Sequence, residues 1–385
     1  MPMPRISDRA WIAIIVFYLC LIYPPWIISN LVSKTDFIKG DCYYYRAMIV
    51  SLLQDGDLLL GNNIDTDPLN GQLALGKQGL VPKHPIIMPL VSIPFYKAFG
   101  DRGLLMFNII DSIILALLIF KLNQLFFDSY ISFLTTILYA TGTLFFNYVY
   151  NYSPDIFATV LLLAGLNLVL RKRYYTGAFF LGLSVFAKIP NALLAGIILL
   201  YAGLTILRDY DKSGDLRLGL VQRWAKIAGV AVLFVVALAP FGFVNHLLFG
   251  SPWTTGYQRT AEAGPTPGKI VVTDHVNKFN QPFLGGAFRL LFDGDSGLIP
   301  TNPILILAIL GFFRLGRSLN PLPLYLVTTI CLAQFVTFAK YDDWQTSEFS
   351  NRFLMTFVAG SSVFTSGYLQ FLGKQLFPGV INRPA

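Results

Sequence analysis

Long apolar runs decide what this chain can fold into. Segments built mainly from Leu, Ile, Val, Phe and Ala recur at roughly 10–31, 103–122, 130–149, 154–171, 175–187, 190–207, 226–248, 300–316, 321–339 and 353–373. A helix crosses a bilayer in about 20 residues, so most of these runs have the length to span. Only 13% of the 385 residues are charged, against about 25% in a soluble domain. The expectation is an all-α polytopic membrane protein, a single membrane domain over 1–385 with about ten transmembrane or re-entrant helices. The fifth, sixth and eighth runs are short. The fifth and sixth suit a hairpin that enters only partway and turns at Lys188-Ile189-Pro190-Asn191, since irregular backbone survives at that depth only under cover of protein or water.

The net charge of +8, from 29 basic and 21 acidic residues, is what the cytoplasmic loops of such a protein need, and no nucleic acid partner is called for. Lys and Arg gather at Arg5 and Arg9, at Arg171-Lys172-Arg173, and between 208 and 226. This bias places both termini in the cytoplasm and turns segments 32–102 and 249–299 outward, in a plasma (inner) membrane. The first run is too long for a signal-peptide core and no small-residue cleavage site follows it, so it reads as a retained span. Cys20, Cys42 and Cys331 have no metal-ligand spacing, and their odd number argues against a disulfide framework.

Segment 32–102 is where the acids concentrate, with Asp41, Asp55 and Asp57 inside 40–63. From Tyr43 to Gln54 the residues Tyr45, Met48, Ile49, Leu52 and Leu53 share one face at helical spacing, which suits a helix lying in the membrane interface. Asp55-Gly56-Asp57 ends it with a turn. The apolar stretch from Pro85 to Phe99 holds Pro85, Pro89 and Pro94 and reads as surface-lying or re-entrant. In the second outer segment a short strand is expected at Lys269–Thr273.

Asp41 follows Gly40 at the start of the amphipathic helix. It suits an N-cap and equally a general base held beside the membrane, and the two roles are compatible. Asp155, after Pro154, suits a helix N-terminus or a second outer carboxylate near Asp41. Lys188 lies between two apolar runs; it is either snorkelling or a functional cation at membrane depth. His84 alone is weak, but Lys83, His84, Lys188 and Arg352 together could offer positive charge to a lipid phosphate. Trp344, amid the acids of 341–352, suits an interfacial anchor or a sugar-binding ring, with Arg352 on a phosphate. Asp111, inside the second run, reads as a structural pairing within the bundle. No phosphate loop, dinucleotide fingerprint, zinc motif or nucleophile elbow is present, which argues against a nucleotide-driven pump.

The ordered set of motifs resembles the polytopic GT-C glycosyltransferases, the group with protein O-mannosyltransferases and the lipid A aminoarabinose transferase. Gly40-Asp41-Cys42-Tyr43-Tyr44-Tyr45 with Asp55-Gly56-Asp57-Leu58 is similar to the family's Gly-Asp-Glu-Pro-His-Tyr and Asp-Gly-Asp-Leu. Lys83-His84-Pro85-Ile86-Ile87-Met88-Pro89 resembles its His-Pro-Pro-Gly-x-Pro segment, and Tyr152-Ser153-Pro154-Asp155 its Tyr-x-Pro-Glu. Gly182 to Lys188 resembles its Gly-Leu-Ala-x-Leu-x-Lys/Arg, and Ser350-Asn351-Arg352-Phe353-Leu354 its Gly-Pro-Arg-Tyr-Leu.

The resemblance implies a cell-envelope glycosyltransferase, hexosyl or pentosyl, that takes its sugar from a polyprenyl-phosphate donor. Transfer to an acceptor (glycan, lipid or protein) would occur at the outer face. It implies Asp41 as base or acceptor-orienting carboxylate with Asp155 beside it as catalytic residues. Lys83, His84, Lys188, Arg352, Trp344 and Tyr44 become the substrate-binding set. No cofactor is called for, and a divalent metal is allowed but not indicated, because Cys42 stands where the family has a second acid. The competing readings are a transporter or flippase of a lipid-linked substrate, which internal repeats and paired broken helices would favour, and a non-catalytic membrane scaffold.

Overall fold

The apolar runs form helices, and segments 32–102 and 249–299 pair with each other as strands. The computed structural model describes residues 6–32, 38–65, 67–209, 216–266, 269–276, 278–315, 321–342 and 351–376. In chain order, α1 (Asp8–Val32) leads to α2 (Asp41–Gln54), then the hairpin β1 (Asn70–Leu75) and β2 (Leu80–Pro82). Next come α3 (Ile87–Phe99), α4 (Asp101–Asn123), α5 (Ser129–Gly142) and the short α6 (Leu144–Tyr148). The centre of the chain holds α7 (Pro154–Leu170), α8 (Tyr174–Ala187), α9 (Asn191–Asp209) and α10 (Leu216–Phe249). Strands β3 (Thr260–Ala263) and β4 (Ile270–Thr273) follow, then α11 (Phe283–Phe292), α12 (Leu298–Thr301), α13 (Leu305–Leu315), α14 (Pro321–Ala339) and α15 (Met355–Leu376).

Among the described residues, four helices are long and apolar enough to cross a membrane: α4, α9, α10 and α14. The chain is a membrane protein. The sixth run, expected to enter only partway, forms α9, whose 18-residue apolar stretch Asn191–Arg208 is long enough to cross. α7 is apolar on every side and almost wholly buried between α4 and α8, as a central helix must be. A seam of hydroxyls ties α15 to α4 and α5: Asn123 Nδ2 donates to Ser362 Oγ at 2.9 Å, Ser366 Oγ donates to Asn123 Oδ1 at 2.7 Å, and Thr135 and Ser366 share a bond of 2.7 Å. Small residues on α15 let these helices approach closely enough for such bonds.

The all-α expectation misses a four-stranded antiparallel sheet of order β2-β1-β3-β4. Leu73 pairs with Pro82 and Leu75 with Leu80. β1 meets β3 at Asn70–Glu262 and Ala74–Thr260 with an irregularity between them, and Thr260 pairs with Thr273 across β3 and β4. The strand expected at 269–273 is β4. The sheet clips segment 32–102 to segment 249–299, and that pairing sets the geometry of the site.

The expectation that α2 lies in the lipid interface is also corrected. Tyr45, Met48 and Ile49 are buried, but so are Tyr44, Ala47 and Ser51 on the flank the pattern left outside. The chain after the helix folds back over that flank: Ser51 Oγ donates to Asp57 Oδ1 at 2.9 Å, and Leu59 N donates to the same oxygen. Asp55 Oδ2 accepts from Asn62 and Asn63. Asp55 and Asp57 therefore shape the turn. α3 buries Ile87, Met88, Pro89 and Ser92 and leaves Leu90, Val91 and Phe99 outside, so it rides half-buried on its neighbours α2 and α4.

Candidate active site

The chemistry-bearing side chains collect at one end of the bundle. Gly40, with φ 53°, adopts a left-handed backbone that other residues resist, and the sharp turn makes Asp41 the first residue of α2. Its side chain does not cap the helix, so the N-cap role is corrected. Arg352 Nη2 donates instead to Asp41 Oδ2 at 2.5 Å. Arg352 stands in a 3₁₀ turn, Arg352–Leu354, just before α15, and Asn351 Oδ1 accepts from Phe353 N to start that turn.

The same guanidinium reaches a second carboxylate, with Nε 3.6 Å from Asp155 Oδ2. Asp155 lies in the first turn of α7, after a Ser153 N-cap and Pro154, as its position after Pro154 predicts. Lys188, at the C-cap of α8, donates to Asp155 Oδ1. Its ammonium lies 5.0 Å from the centre of the Phe353 ring, a favourable place for a cation. Asp41, Arg352, Asp155 and Lys188 thus form one alternating chain of charges. Three of its four members are helix-end residues, so the helices fix their positions.

His84 approaches Asp41 from the other side. Its Nε2 is 3.8 Å from Asp41 Oδ1, its Nδ1 is 2.9 Å from the Tyr257 hydroxyl, and its ring stacks on Tyr45. Tyr257 belongs to a 3₁₀ turn, Gly256–Arg259, opened by a capping box of Thr255 and Gln258. The turn sits flat on the Lys83 backbone: a Cβ at position 256 would lie 2.4 Å from the Lys83 carbonyl oxygen. Only glycine lets Tyr257 reach His84.

Burial would raise the Asp41 carboxyl, but Arg352 foremost, with His84 and Lys83, holds it down at about 2. Burial pushes His84 from 6.5 to about 4, helped by Lys83 and Arg352 and opposed by Asp41 and Asp155. Burial works against the Arg352 charge, yet Asp41 and Asp155 outweigh it and raise its pKa. At neutral pH the site therefore holds a carboxylate at Asp41, a guanidinium at Arg352 and a neutral imidazole at His84.

The other expected residues fall nearby in different settings. Lys83 Nζ donates to the Gly71 carbonyl at 2.7 Å and lies 3.0 Å from His275 Nδ1, while His275 Nε2 is 2.8 Å from Glu262 Oε1. Lys83 thus fastens segment 32–102 to segment 249–299. The Tyr44 hydroxyl accepts from Asn70 Nδ2 at 2.7 Å, where α2 meets β1. Cys42 donates its S–H to Asn151 Oδ1 at 3.0 Å. Trp344 lies outside the described residues. Asp111 is buried in the bundle, and its Oδ2 has no hydrogen-bond partner among the described residues. No group of three or more His, Cys, Asp or Glu converges as metal ligands among the described residues.

An open cavity of about 320 Å³ lies beside Lys188. Trp253, Phe279, Phe338, Tyr341 and Phe353 give it ring-faced walls, and Thr255, Tyr257, Gln258 and His275 supply polar groups. A cation at the edge of an aromatic cavity suits a ligand with an anionic end and an apolar or sugar-like body. Tyr257 and His275 are absent from the sequence reading. The capping box at Thr255–Gln258 is a legible turn signal, but nothing in the sequence says what Tyr257 touches.

No protein-family profile matches the chain, and no curated protein sequence does. Solved structures match it in shape. ArnT from Cupriavidus metallidurans, in a crystal structure bound to undecaprenyl phosphate, superposes with a TM-score of 0.63 at 12% identity, over 97% of this chain and 63% of ArnT. The fold is GT-C. The oligosaccharyltransferase AglB from Archaeoglobus fulgidus, in complex with an inhibitory peptide and a dolichol-phosphate, gives a TM-score of 0.53 at 12% identity, over 98% of this chain and 53% of AglB. This chain thus spans less than two thirds of ArnT and about half of AglB, and at these identities the likeness is one of fold.

Proposed function

We propose that this GT-C chain is a membrane glycosyltransferase that moves a hexosyl or pentosyl group from a polyprenyl-phosphate donor to an acceptor at the outer face of the membrane. The observation that carries the reading is the Asp41–Arg352–Asp155–Lys188 charge chain beside a ring-walled cavity. ArnT was crystallised with undecaprenyl phosphate and AglB with a dolichol-phosphate, and a ligand of that kind brings its own leaving group. The protein then has two tasks: to stabilise the phosphate as it departs and to orient the acceptor hydroxyl.

Lys188 and Arg352 take the first task. Both are held in place by carboxylates, so they are preorganised without being left as isolated buried charges. The donor phosphate displaces part of that pairing, and Asp41 and Asp155 then face less compensating charge. Asp41 becomes a stronger acceptor when the donor is in place, which couples donor binding to acceptor orientation. Its low proton affinity in the resting site favours the orienting role over that of sole base. His84 and Lys83 support the site through Tyr257 and through the tie to the second outer segment, and Tyr44 through its bond to Asn70. Trp344 retains its proposed role as a sugar-binding ring.

About ten membrane helices, with both termini in the cytoplasm of a plasma membrane, complete the proposal. The chain order supports this arrangement: the α7–α8 turn at Arg171-Lys172-Arg173 is at the opposite end of these two helices from Asp155 and Lys188, and basic turns favour the cytoplasm. The test is mass spectrometry of lipid that copurifies with the protein. A polyprenyl phosphate or its glycosylated form is expected. A preparation that carries phospholipid alone and fails to bind added undecaprenyl phosphate overturns the reading.

A further inference from the structure

We propose that Tyr257 receives the acceptor's proton, as the open end of a relay Asp41–His84–Tyr257 in which Asp41 also positions the imidazole. This rests on the glycosyl-transfer reading above and assigns the base that the reading leaves open.

The hydrogen-bond directions follow from electrostatics. His84 Nε2 is buried, has no hydrogen-bond partner among the described residues, and faces Asp41 Oδ1 at 3.8 Å. A bare nitrogen lone pair opposite a carboxylate is repelled, so the proton of the neutral ring belongs on Nε2. Nδ1 then carries the lone pair, and the Tyr257 hydroxyl must donate to it across 2.9 Å. Burial keeps the Tyr257 phenol protonated at rest. The groups around the imidazole are Asp41, Asp155, Lys83 and Arg352, with the Tyr45 ring stacked on it and Tyr257 edge-on.

Access decides which end works. Tyr257 lines the cavity together with Lys188, whereas Asp41 and His84 do not. Asp41 is also engaged with Arg352. A hydroxyl held in the cavity near Lys188 can meet the Tyr257 oxygen without breaking the charge chain.

The step balances. The acceptor oxygen bonds to the anomeric carbon as the anomeric C–O bond breaks, and that electron pair leaves with the lipid phosphate beside Lys188 and Arg352. The acceptor's proton passes to the Tyr257 oxygen while the phenol's own proton passes to His84 Nδ1. The imidazolium formed has its Nε2–H facing Asp41, which stabilises it. A proton later returns from His84 through Tyr257 to the departing phosphate or to water. The arrangement shares the logic of a nucleophile–histidine–carboxylate triad, with a phenol shuttle in place of the nucleophile.

Two measurements on the full chain in nanodiscs test it. The first is ¹⁵N NMR of the protein labelled at its three histidines, with His84 assigned by His84→Asn. At pH 7 the expected His84 is the Nε2–H tautomer, and Tyr257→Phe moves its Nδ1 signal toward that of an unbonded imidazole. An Nδ1–H tautomer, or an Nδ1 signal unmoved in Tyr257→Phe, overturns the relay whatever sugar the donor carries. The second uses synthetic mannosyl and glucosyl undecaprenyl phosphates as donors, with undecaprenyl phosphate as a binding probe. Tyr257→Phe should lose about a hundredfold or more in kcat while its affinity for undecaprenyl phosphate stays at the wild-type value; a merely structural tyrosine would move both. Wild-type turnover matched by Tyr257→Phe sinks the relay and leaves the glycosyl-transfer reading standing. A wild-type chain that does not bind undecaprenyl phosphate sinks that reading and the relay's role with it.

Discussion

Replacing Arg352 with Gln isolates what the charge chain contributes. The Asp41, Arg352 and Asp155 side chains are only 19%, 18% and 6% exposed, so water cannot replace the lost guanidinium. Removing one partner of a buried ion pair costs about 3–5 kcal/mol, because the survivor is left uncompensated. Asp155 keeps Lys188, so most of the loss falls on Asp41. In the wild type the folded-state pKa of Asp41 is depressed to about 2 from 3.8. Its stabilisation is therefore present above about pH 4 and disappears as pH falls toward 2. In Arg352→Gln burial is the dominant remaining influence, the carboxyl moves upward, and the penalty grows as pH rises. Unfolding by SDS titration in mixed micelles, followed by fluorescence, should show a large deficit at pH 8 that shrinks toward pH 4. The double variant Asp41→Asn/Arg352→Gln should recover about 2–3 kcal/mol relative to the sum of the single changes. Additivity within about 0.5 kcal/mol, or a deficit equal at both pH values, would refute the reasoning.

Other tests probe separate parts of the molecule. Lys188→Ala should weaken undecaprenyl phosphate binding about tenfold or more, roughly 1.4 kcal/mol, with the fold intact by circular dichroism; an unchanged Kd removes Lys188 from the phosphate site. Wild-type stability should fall in acid, first between about pH 6.5 and 4. The folded pKa of His84 is depressed from 6.5 to about 4, so the unfolded chain binds the proton first, at a cost to folding that approaches about 3 kcal/mol. Stability that stays flat over that window contradicts the buried neutral imidazole. For topology, Asn62→Cys in a Cys20→Ser background should react with an impermeant maleimide on intact cells, since Asn62 is exposed on the first outer segment. Reaction only after permeabilisation reverses the orientation.

The legibility of this chain follows the range of the forces involved. Helices such as α4, α7 and α14 were readable because lipid and a central core both demand unbroken apolar runs, and Ser153-Pro154-Asp155 announces a helix start through local capping chemistry. Asp41, Asp155, Lys188 and Arg352 could each be picked out because a charge in an apolar chain is conspicuous, and the structure brings these four together. The hairpin of β1 and β2 was missed although Gly76-Lys77-Gln78-Gly79 is a turn signal, because strands of six and three residues have little periodicity to read. The interfacial reading of α2 failed because a helical wheel shows one apolar stripe and says nothing of a loop that folds back over Ser51. Tyr257 was invisible for a related reason: its importance lies in a partner 173 residues away, and it depends on Gly256 having no side chain.

The closure of the site at long range also sets a timetable. Asp41 and Arg352 are 311 residues apart in the chain, and the tie from Lys83 to His275 spans 192. At roughly 5–20 residues per second of synthesis, Asp41 leaves the ribosome about 15–60 s before Arg352. A nascent chain whose first helices are already in the bilayer thus carries carboxylates with neither the guanidinium nor the second outer segment to answer them. The charge chain of Asp41, Arg352, Asp155 and Lys188 closes only when Arg352 arrives, so a chain stalled or clipped before that residue lacks it.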